Sequence, residues 1–332
     1  MVWNCRRLCV ESVIELHSKT RLRQRTTFMD STAKNMSVAT SSPLSLIAVM
    51  SCVGAQDQRC ELGPSALKNF GMLQRLNALG KQSAWHALSS HNSFVVNHEN
   101  PFSPILDLLD QIRATVLSSL QEQNQFCVLG GDHSCAIGTW NGVKQSLNPG
   151  SRLGLIWIDA HMDSHTPETS PSAAVHGMPL ACLLGQGPDN VTNFAGLKPV
   201  LLPQDLCLIG VRSYEPEEAR LLQQLGVKVF FMEDINRQGL SSILEQAKQL
   251  VCQHTDVFGC SIDIDAIDPE QAPGVGSPES NGIQAMDLVN ALKIIRNAPG
   301  FVGAEIVEYN PAKDQNSKTA SVVCDLAEAM FA

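Results

Sequence analysis

Apolar residues follow two rhythms along this chain. One is the short continuous run: residues 44–50, 126–130, 154–158, 206–211, 228–232, 259–264 and 301–307 are mostly apolar with little alternation. Strands buried on both faces read this way because neither face meets water, which points to a parallel sheet covered by helices. The other rhythm is apolar spacing of three and four, which predicts helices over 65–79, 104–122, 135–147, 175–185, 216–225, 239–253 and 284–296. The two kinds of segment alternate with no long linker and no internal repeat. One doubly wound α/β domain is the expectation.

Residues 1–43 stand apart from that pattern. Residues 1–29 hold Arg6, Arg7, Lys19, Arg21, Arg23 and Arg25 against Glu11 and Glu15, and serines, threonines and Met36 follow. Mitochondrial transit peptides are arginine-rich, but they are poor in acids. The preferred reading is an N-terminal extension that is disordered or not native, with Met36 as the start and a domain over 44–332.

Composition narrows the partners. The 332 residues are 44% hydrophobic and 17% charged, as in ordinary soluble globular proteins, and the formal net charge is −9. That charge argues against nucleic acid and anionic membrane as partners, and no basic patch interrupts the body of the chain. No apolar run approaches the roughly 20 residues of a membrane span. The eleven cysteines are scattered without a CxxC, and Cys127, Cys182, Cys207 and Cys260 sit inside apolar runs. Such usage favours a reducing, cytoplasmic setting over a disulfide framework.

Three of the apolar runs lead directly into ionisable residues: Gly130-Gly131-Asp132-His133, Asp159-Ala160-His161-Met162-Asp163, and Asp263-Ile264-Asp265. Side chains alternate along an extended strand, so Asp159, His161 and Asp163 would share a face, as would Asp263 and Asp265. Taken alone, His133 fits a local structural role, with Asp132 capping the next helix. The other two clusters place like charges side by side, which is costly unless a cation joins them. Ligands in parallel sheets bind beyond the carboxyl ends of strands, where all three clusters lie. Two histidines and four carboxylates suit two metal ions, a device that generates hydroxide and clamps a polar substrate. The oxygen-rich set favours a hard to borderline ion, with manganese first; zinc, cobalt, nickel and iron stay open by ligand type.

Gly130-Gly131-Asp132-His133-Ser134, Asp159-Ala160-His161-Met162-Asp163 and Ser261-Ile262-Asp263-Ile264-Asp265-Ala266-Ile267-Asp268-Pro269 resemble, in order, the three signatures of the arginase/agmatinase (ureohydrolase) family. The resemblance implies a three-layer α/β/α fold and two Mn2+ per subunit. It also implies hydrolysis of a guanidino compound to urea and an amine by a hydroxide held between the metals, in a homotrimer or homohexamer. It makes His133, Asp159, Asp163 and Asp263 ligands of one metal, and Asp159, His161, Asp263 and Asp265 ligands of the other. His176 falls at the family's proton-shuttling histidine, and Glu308 at the glutamate that holds the guanidinium. Glu305 is left as a packing residue or one supporting the ligands from behind.

The stretch from Asp159 to Gly177 resembles the arginase branch in spacing, which makes L-arginine the expected substrate. His165 stands where arginases carry an asparagine, Ala173-Ala174 replace a glycine-asparagine pair beside Ser172, and Ser277 replaces a threonine. Glu215 falls at the acid that reads the α-amino group, and it also reads as a helix N-terminal acid favoured by the dipole. Agmatine, guanidinobutyrate or formiminoglutamate would use the same metals with a different rim. Two other classes stay open. Metal-dependent deacetylation would need an oxyanion-stabilising tyrosine, for which the chain offers Tyr214 and Tyr309, and a member that binds metal without turnover would not need His176.

Overall fold

The computed structural model describes residues 42–332 apart from 91, 93, 194 and 195. Nearly all of the N-terminal segment, and with it the expectation for 1–43, lies outside the described residues. Eight strands form one sheet: β1 (Leu44–Met50), β2 (Ser83–Ser89), β3 (Gln125–Leu129), β4 (Leu153–Ile158), β5 (Leu206–Val211), β6 (Lys228–Phe231), β7 (Val257–Asp263) and β8 (Phe301–Val307). Their spatial order is β2-β1-β3-β8-β7-β4-β5-β6, and every neighbouring pair is parallel. All eight carboxyl ends therefore line one edge.

Helices cover both faces. They are α1 (Gly63–Phe70), α2 (Met72–Ala78), α3 (Leu106–Gln121), α4 (Ala136–Ser146), α5 (Pro179–Leu183), α6 (Asp189–Thr192), α7 (Pro216–Leu225), α8 (Met232–Gln238), α9 (Leu240–Cys252), α10 (Ala285–Arg296) and α11 (Lys318–Phe331). Two large apolar cores result, and the strands feed them alternately. Leu44, Cys127, Ile156, Cys260 and Ile306 enter the core under α1, α2 and α8–α11, whereas Ile47, Val128, Trp157, Val257 and Val307 enter the core under α3, α4 and α7. With a core on each face, alternation of side chains leaves no polar face, which is why these strands read as unbroken apolar runs. The sheet is parallel throughout.

Several elements depart from the sequence reading. The helix expected over 65–79 is two helices, because Gly71 stops α1 with φ +99°, a left-handed conformation that suits glycine. The helix expected over 175–185 is a 3-10 turn at Val175–Gly177 followed by α5. Edge strand β2 and helices α8 and α11 were not anticipated. Cys52 and Cys60 form a disulfide, a local bridge that cysteine counting did not anticipate; seven other described cysteines are free.

Candidate metal centre

The centre lies where β3, β4, β7 and β8 end side by side. After β3 the chain turns at Gly131, where an added Cβ would stand 1.6 Å from the Ser51 carbonyl oxygen. Only glycine allows that approach, and it delivers His133 to the sheet edge. Asp132 caps the turn, its side chain accepting from Ser134 N at 2.9 Å and Gly54 N at 2.9 Å. His133 is fully buried, and its ring stacks on Trp157 at 4.0 Å with an 8° interplanar angle. Nε2 meets Ser261 Oγ at 2.8 Å.

The other ring nitrogen is the informative one. His133 Nδ1 lies 3.3 Å from Asp159 Oδ2, 3.1 Å from Asp163 Oδ2 and 3.3 Å from Asp263 Oδ2, yet it makes no hydrogen bond. A buried nitrogen crowded by three carboxylate oxygens without bonding any of them is arranged as a ligand set is. His161 repeats the arrangement, with Nδ1 3.2 Å from Asp265 Oδ2 and 3.5 Å from Asp159 Oδ1. Two groups able to hold a metal ion result, His133 with Asp159 and Asp263, and Asp159 with His161 and Asp265. They share Asp159.

The carboxylates are tied from behind. Asp159 Oδ2 accepts from Trp157 Nε1 at 2.9 Å and Oδ1 from His161 N at 2.7 Å. Asp263 Oδ1 accepts from Asp265 N at 2.9 Å. Convergence does not come from strand alternation alone. β4 ends at Ile158, Asp163 takes φ +45°, and Asp265 sits in the 3-10 turn Ile264–Ala266. Crowding leaves its mark on titration. Burial pushes Asp163 up to about 6, helped by the charge of Asp159, and it raises Asp263 well above the carboxylate range, with Asp265 and Asp159 adding to it. Burial would also raise Asp159, but the close approach of the His133 and His161 rings holds it low.

Glu308 follows β8 at φ +66°, a strained position for a residue with a Cβ. Its N donates to Gly131 O at 2.7 Å, and its Oε1 accepts from His133 N at 2.9 Å. The same oxygen pairs with His176 Nδ1 at 3.1 Å. His176 N in turn donates to Gly54 O at 3.1 Å, and 31% of its side chain meets solvent. Burial would lower His176, but the Glu308 hydrogen bond and charge outweigh it and raise it to about 9.

These groups surround a cleft of about 140 Å³ lined also by His165, Glu215, Glu218 and Ser277. Ser172 is not among the lining residues; its Oγ accepts from Ala174 N at 3.2 Å. Ala173 holds φ +56°, where a glycine would be unstrained. His165 is engaged at both nitrogens, Nδ1 with Thr169 Oγ1 at 3.1 Å and Nε2 with Glu215 Oε2 at 3.1 Å. Glu215 caps α7 in a capping box with Glu218. Sequence reasoning missed Glu218, which is buried, accepts from Ser164 N at 3.1 Å and is pushed up to about 8 by burial. Its signal was the Glu-x-x-Glu spacing at the start of α7. Glu305 is fully buried behind the centre, and burial raises its carboxyl. Tyr309 is not a lining residue; its hydroxyl donates to Asp314 Oδ2 at 3.1 Å.

Comparison with known proteins adds to this geometry. A model of the arginase family matches residues 43–332. The arginase of Bacillus caldovelox is 35% identical over 296 residues, covering 87% of this chain and 98% of that protein. That of Entamoeba histolytica is 32% identical over 289 residues, covering 86% and 96%. The crystal structure of Bacillus subtilis arginase superposes with a TM-score of 0.80 at 32% identity, covering 87% of this chain and 98% of that one.

Proposed function

Because the chain belongs to the arginase family, we propose that it hydrolyses the guanidinium group of L-arginine to urea and ornithine. The observation that carries this reading is the cleft in which two metal-capable groups, sharing Asp159, adjoin Glu308 and His176. His133, Asp159, Asp163 and Asp263 would hold one ion, and Asp159, His161, Asp263 and Asp265 the other, with manganese favoured by four carboxylates and two imidazoles. Two such ions, when bound, supply water activation near neutral pH and neutralise the crowded carboxylates.

The protein's own groups do the rest. Glu308 Oε1 is taken by His133 N and His176, which leaves Oε2 to receive guanidinium N–H groups in a charge-assisted bond. His176 carries a proton between the cleft and solvent, toward the departing amine. At the far end, Glu215 and Glu218 face the substrate's ammonium group, with His165 fixing Glu215, and Ser277 offers a hydroxyl. Ser172 Oγ accepts from Ala174 N and keeps its own hydrogen to donate toward a substrate. The enzyme acts on a small guanidino molecule, as a cytoplasmic homotrimer or homohexamer, and takes neither nucleic acid nor membrane as partner. Among the described residues no helix is long and apolar enough to cross a membrane.

One observation favours a second reading, agmatine. No lysine or arginine lines the cleft among the described residues, and both ring nitrogens of His165 are engaged. A substrate carboxylate would therefore meet two glutamates and no fixed cation. Guanidinobutyrate and formiminoglutamate, which carry carboxylates and no far-end ammonium group, are disfavoured on the same ground.

The test is product release by manganese-loaded protein offered L-arginine, agmatine, guanidinobutyrate and formiminoglutamate in parallel, with urea or formamide measured. Arginine turnover well above the rest is expected. Agmatine in first place would move the substrate, and no turnover with both ions bound would remove the enzymatic reading. His176→Asn should keep both ions and lose at least about 10²-fold in turnover; full activity would clear His176 of its role.

A further inference from the structure

The imidazole of His133 has one nitrogen facing the carboxylates and one facing the protein, and three side chains stand in line behind the second. Nε2 meets Ser261 Oγ at 2.8 Å, Ser261 Oγ donates to Glu305 Oε1 at 2.7 Å, and Trp140 Nε1 donates to the same Oε1 at 2.6 Å. Ser261 on β7 and Glu305 on β8 are direct register partners. Both are fully buried. Gly259, two residues earlier on β7, makes room for the tryptophan, since an added Cβ would stand 2.2 Å from its ring.

Hydrogen counting gives this line a direction. The indole N–H can only donate, and Ser261 has one hydrogen, which it gives to Glu305. Its oxygen is then an acceptor toward His133, so a hydrogen sits on Nε2 and the neutral ring that binds a metal keeps its lone pair at Nδ1. An acid in an apolar core would be replaced at little cost by a hydrophobic residue if packing were its only task. On the reading of His133 as a metal ligand, we propose that Glu305 is the positioning residue of the buried metal site. Through Ser261 it fixes the tautomer that turns a bare Nδ1 toward Asp159, Asp163 and Asp263.

The amide of Glu305→Gln can keep only an uncharged oxygen between Trp140 and Ser261, a weaker acceptor than a carboxylate. The serine hydrogen is then held less firmly, and the His133 hydrogen can shift to Nδ1, where it blocks the metal. Outer partners of metal-bound histidines are worth about 10- to 100-fold in metal affinity. The experiment titrates the metal-free full-length protein, wild type and variants, with manganese, followed by electron paramagnetic resonance, and records melting of each metal-free form. Glu305→Gln and Ser261→Ala are expected to bind manganese about 10- to 100-fold more weakly and to lose the signal of coupled ion pairs, while still melting cooperatively. Glu305→Asp should recover part of the affinity. Wild-type affinity and coupling in folded Glu305→Gln and Ser261→Ala would overturn the proposal. Should Glu305→Gln not fold, Ser261→Ala decides alone, because it leaves Glu305 bonded to Trp140. A wild-type protein that binds no manganese would sink the metal reading itself, whereas unchanged variants of a binding wild type sink only the relay.

Discussion

His133 and His161 turn the same ring nitrogen, Nδ1, toward neighbouring carboxylates, but their surroundings differ. The His133 side chain is sealed at 0% exposure, stacked on Trp157 and backed by Ser261 and Glu305. The His161 side chain is 25% exposed, and the acid nearest its Nε2 is Glu279, 3.8 Å away. Glu279 sits two residues after the cleft residue Ser277, on a loop tied by Arg212, which donates to Glu279 O at 2.7 Å and to Asp265 O at 2.7 Å, and by Ser213. One half is fixed by strands and the other by a loop. A half set in the core gains precision and loses access, so exchange of metal and solvent should run through the His161 side.

The most damaging change should be Asp159→Asn, since that residue belongs to both groups. Loss of both ions by elemental analysis and loss of urea release are expected; one ion kept at full occupancy would show that the halves do not depend on a shared ligand. Next comes the pair His133→Asn and His161→Asn. Removing His133 takes away a fully buried ring stacked on Trp157 and leaves Ser261 Oγ without its partner, a core defect worth about 1–3 kcal/mol, so it should lower metal-free melting as well as metal content. The His161 variant should lose metal with little change in metal-free melting. Equal melting losses would erase the contrast between sealed and open halves.

Smaller again is Glu279→Gln. It stands 3.8 Å from His161 Nε2, beyond hydrogen-bond reach, and its side chain is 38% exposed, so manganese affinity should fall less than about tenfold, below the range set for an outer partner in good contact. A larger loss would rank the loop with the core relay. The smallest effect is on pH. In the metal-free protein Glu218 is raised to about 8 and Asp163 to about 6, above the roughly 4.3 and 3.9 of unfolded Glu and Asp. Their contribution is complete below the unfolded values and is lost as pH rises through the folded ones. Metal-free melting should therefore fall between about pH 4 and about pH 8, while the gain on adding manganese widens as ligands shed protons. Parallel pH slopes with and without metal would contradict this.

Much of this was legible in the chain itself. Runs such as 44–50, 206–211 and 301–307 match β1, β5 and β8 to the residue, because doubly covered strands leave a signal that little else imitates. Strand β2 left none, being an edge strand of mixed and mostly uncovered residues from Ser83 to Ser89. Helix α11 was missed although Ser317 before it is an N-cap residue type; in the structure Ser317 is left-handed and gives no side-chain cap. Within the centre, residue types and spacing announced the ligands, but not the tight turns that aim Asp163 and Asp265. Glu305 was visible only as an acid inside an apolar run, because its partner Ser261 is 44 residues away. The rim was least legible, since whether His165 is available to a ligand depends on which neighbours hold its two nitrogens.

Strand order also bears on how the chain can be made. β1, β2 and β3 form one flank of the sheet and β4, β5 and β6 the other, and the two flanks touch only through β7 and β8. A chain emerging from the ribosome would thus carry two half-sheets with nothing between them until its last quarter appeared. Contacts of such long sequence separation form slowly, and half-sheets with open central edges are prone to stray pairing. His133 would have to wait for Asp263, and for Glu305 behind it, before either could act on it. Neither half-sheet alone holds the full ligand set, and any truncation that removes β8 should cost the whole centre and not merely its rim.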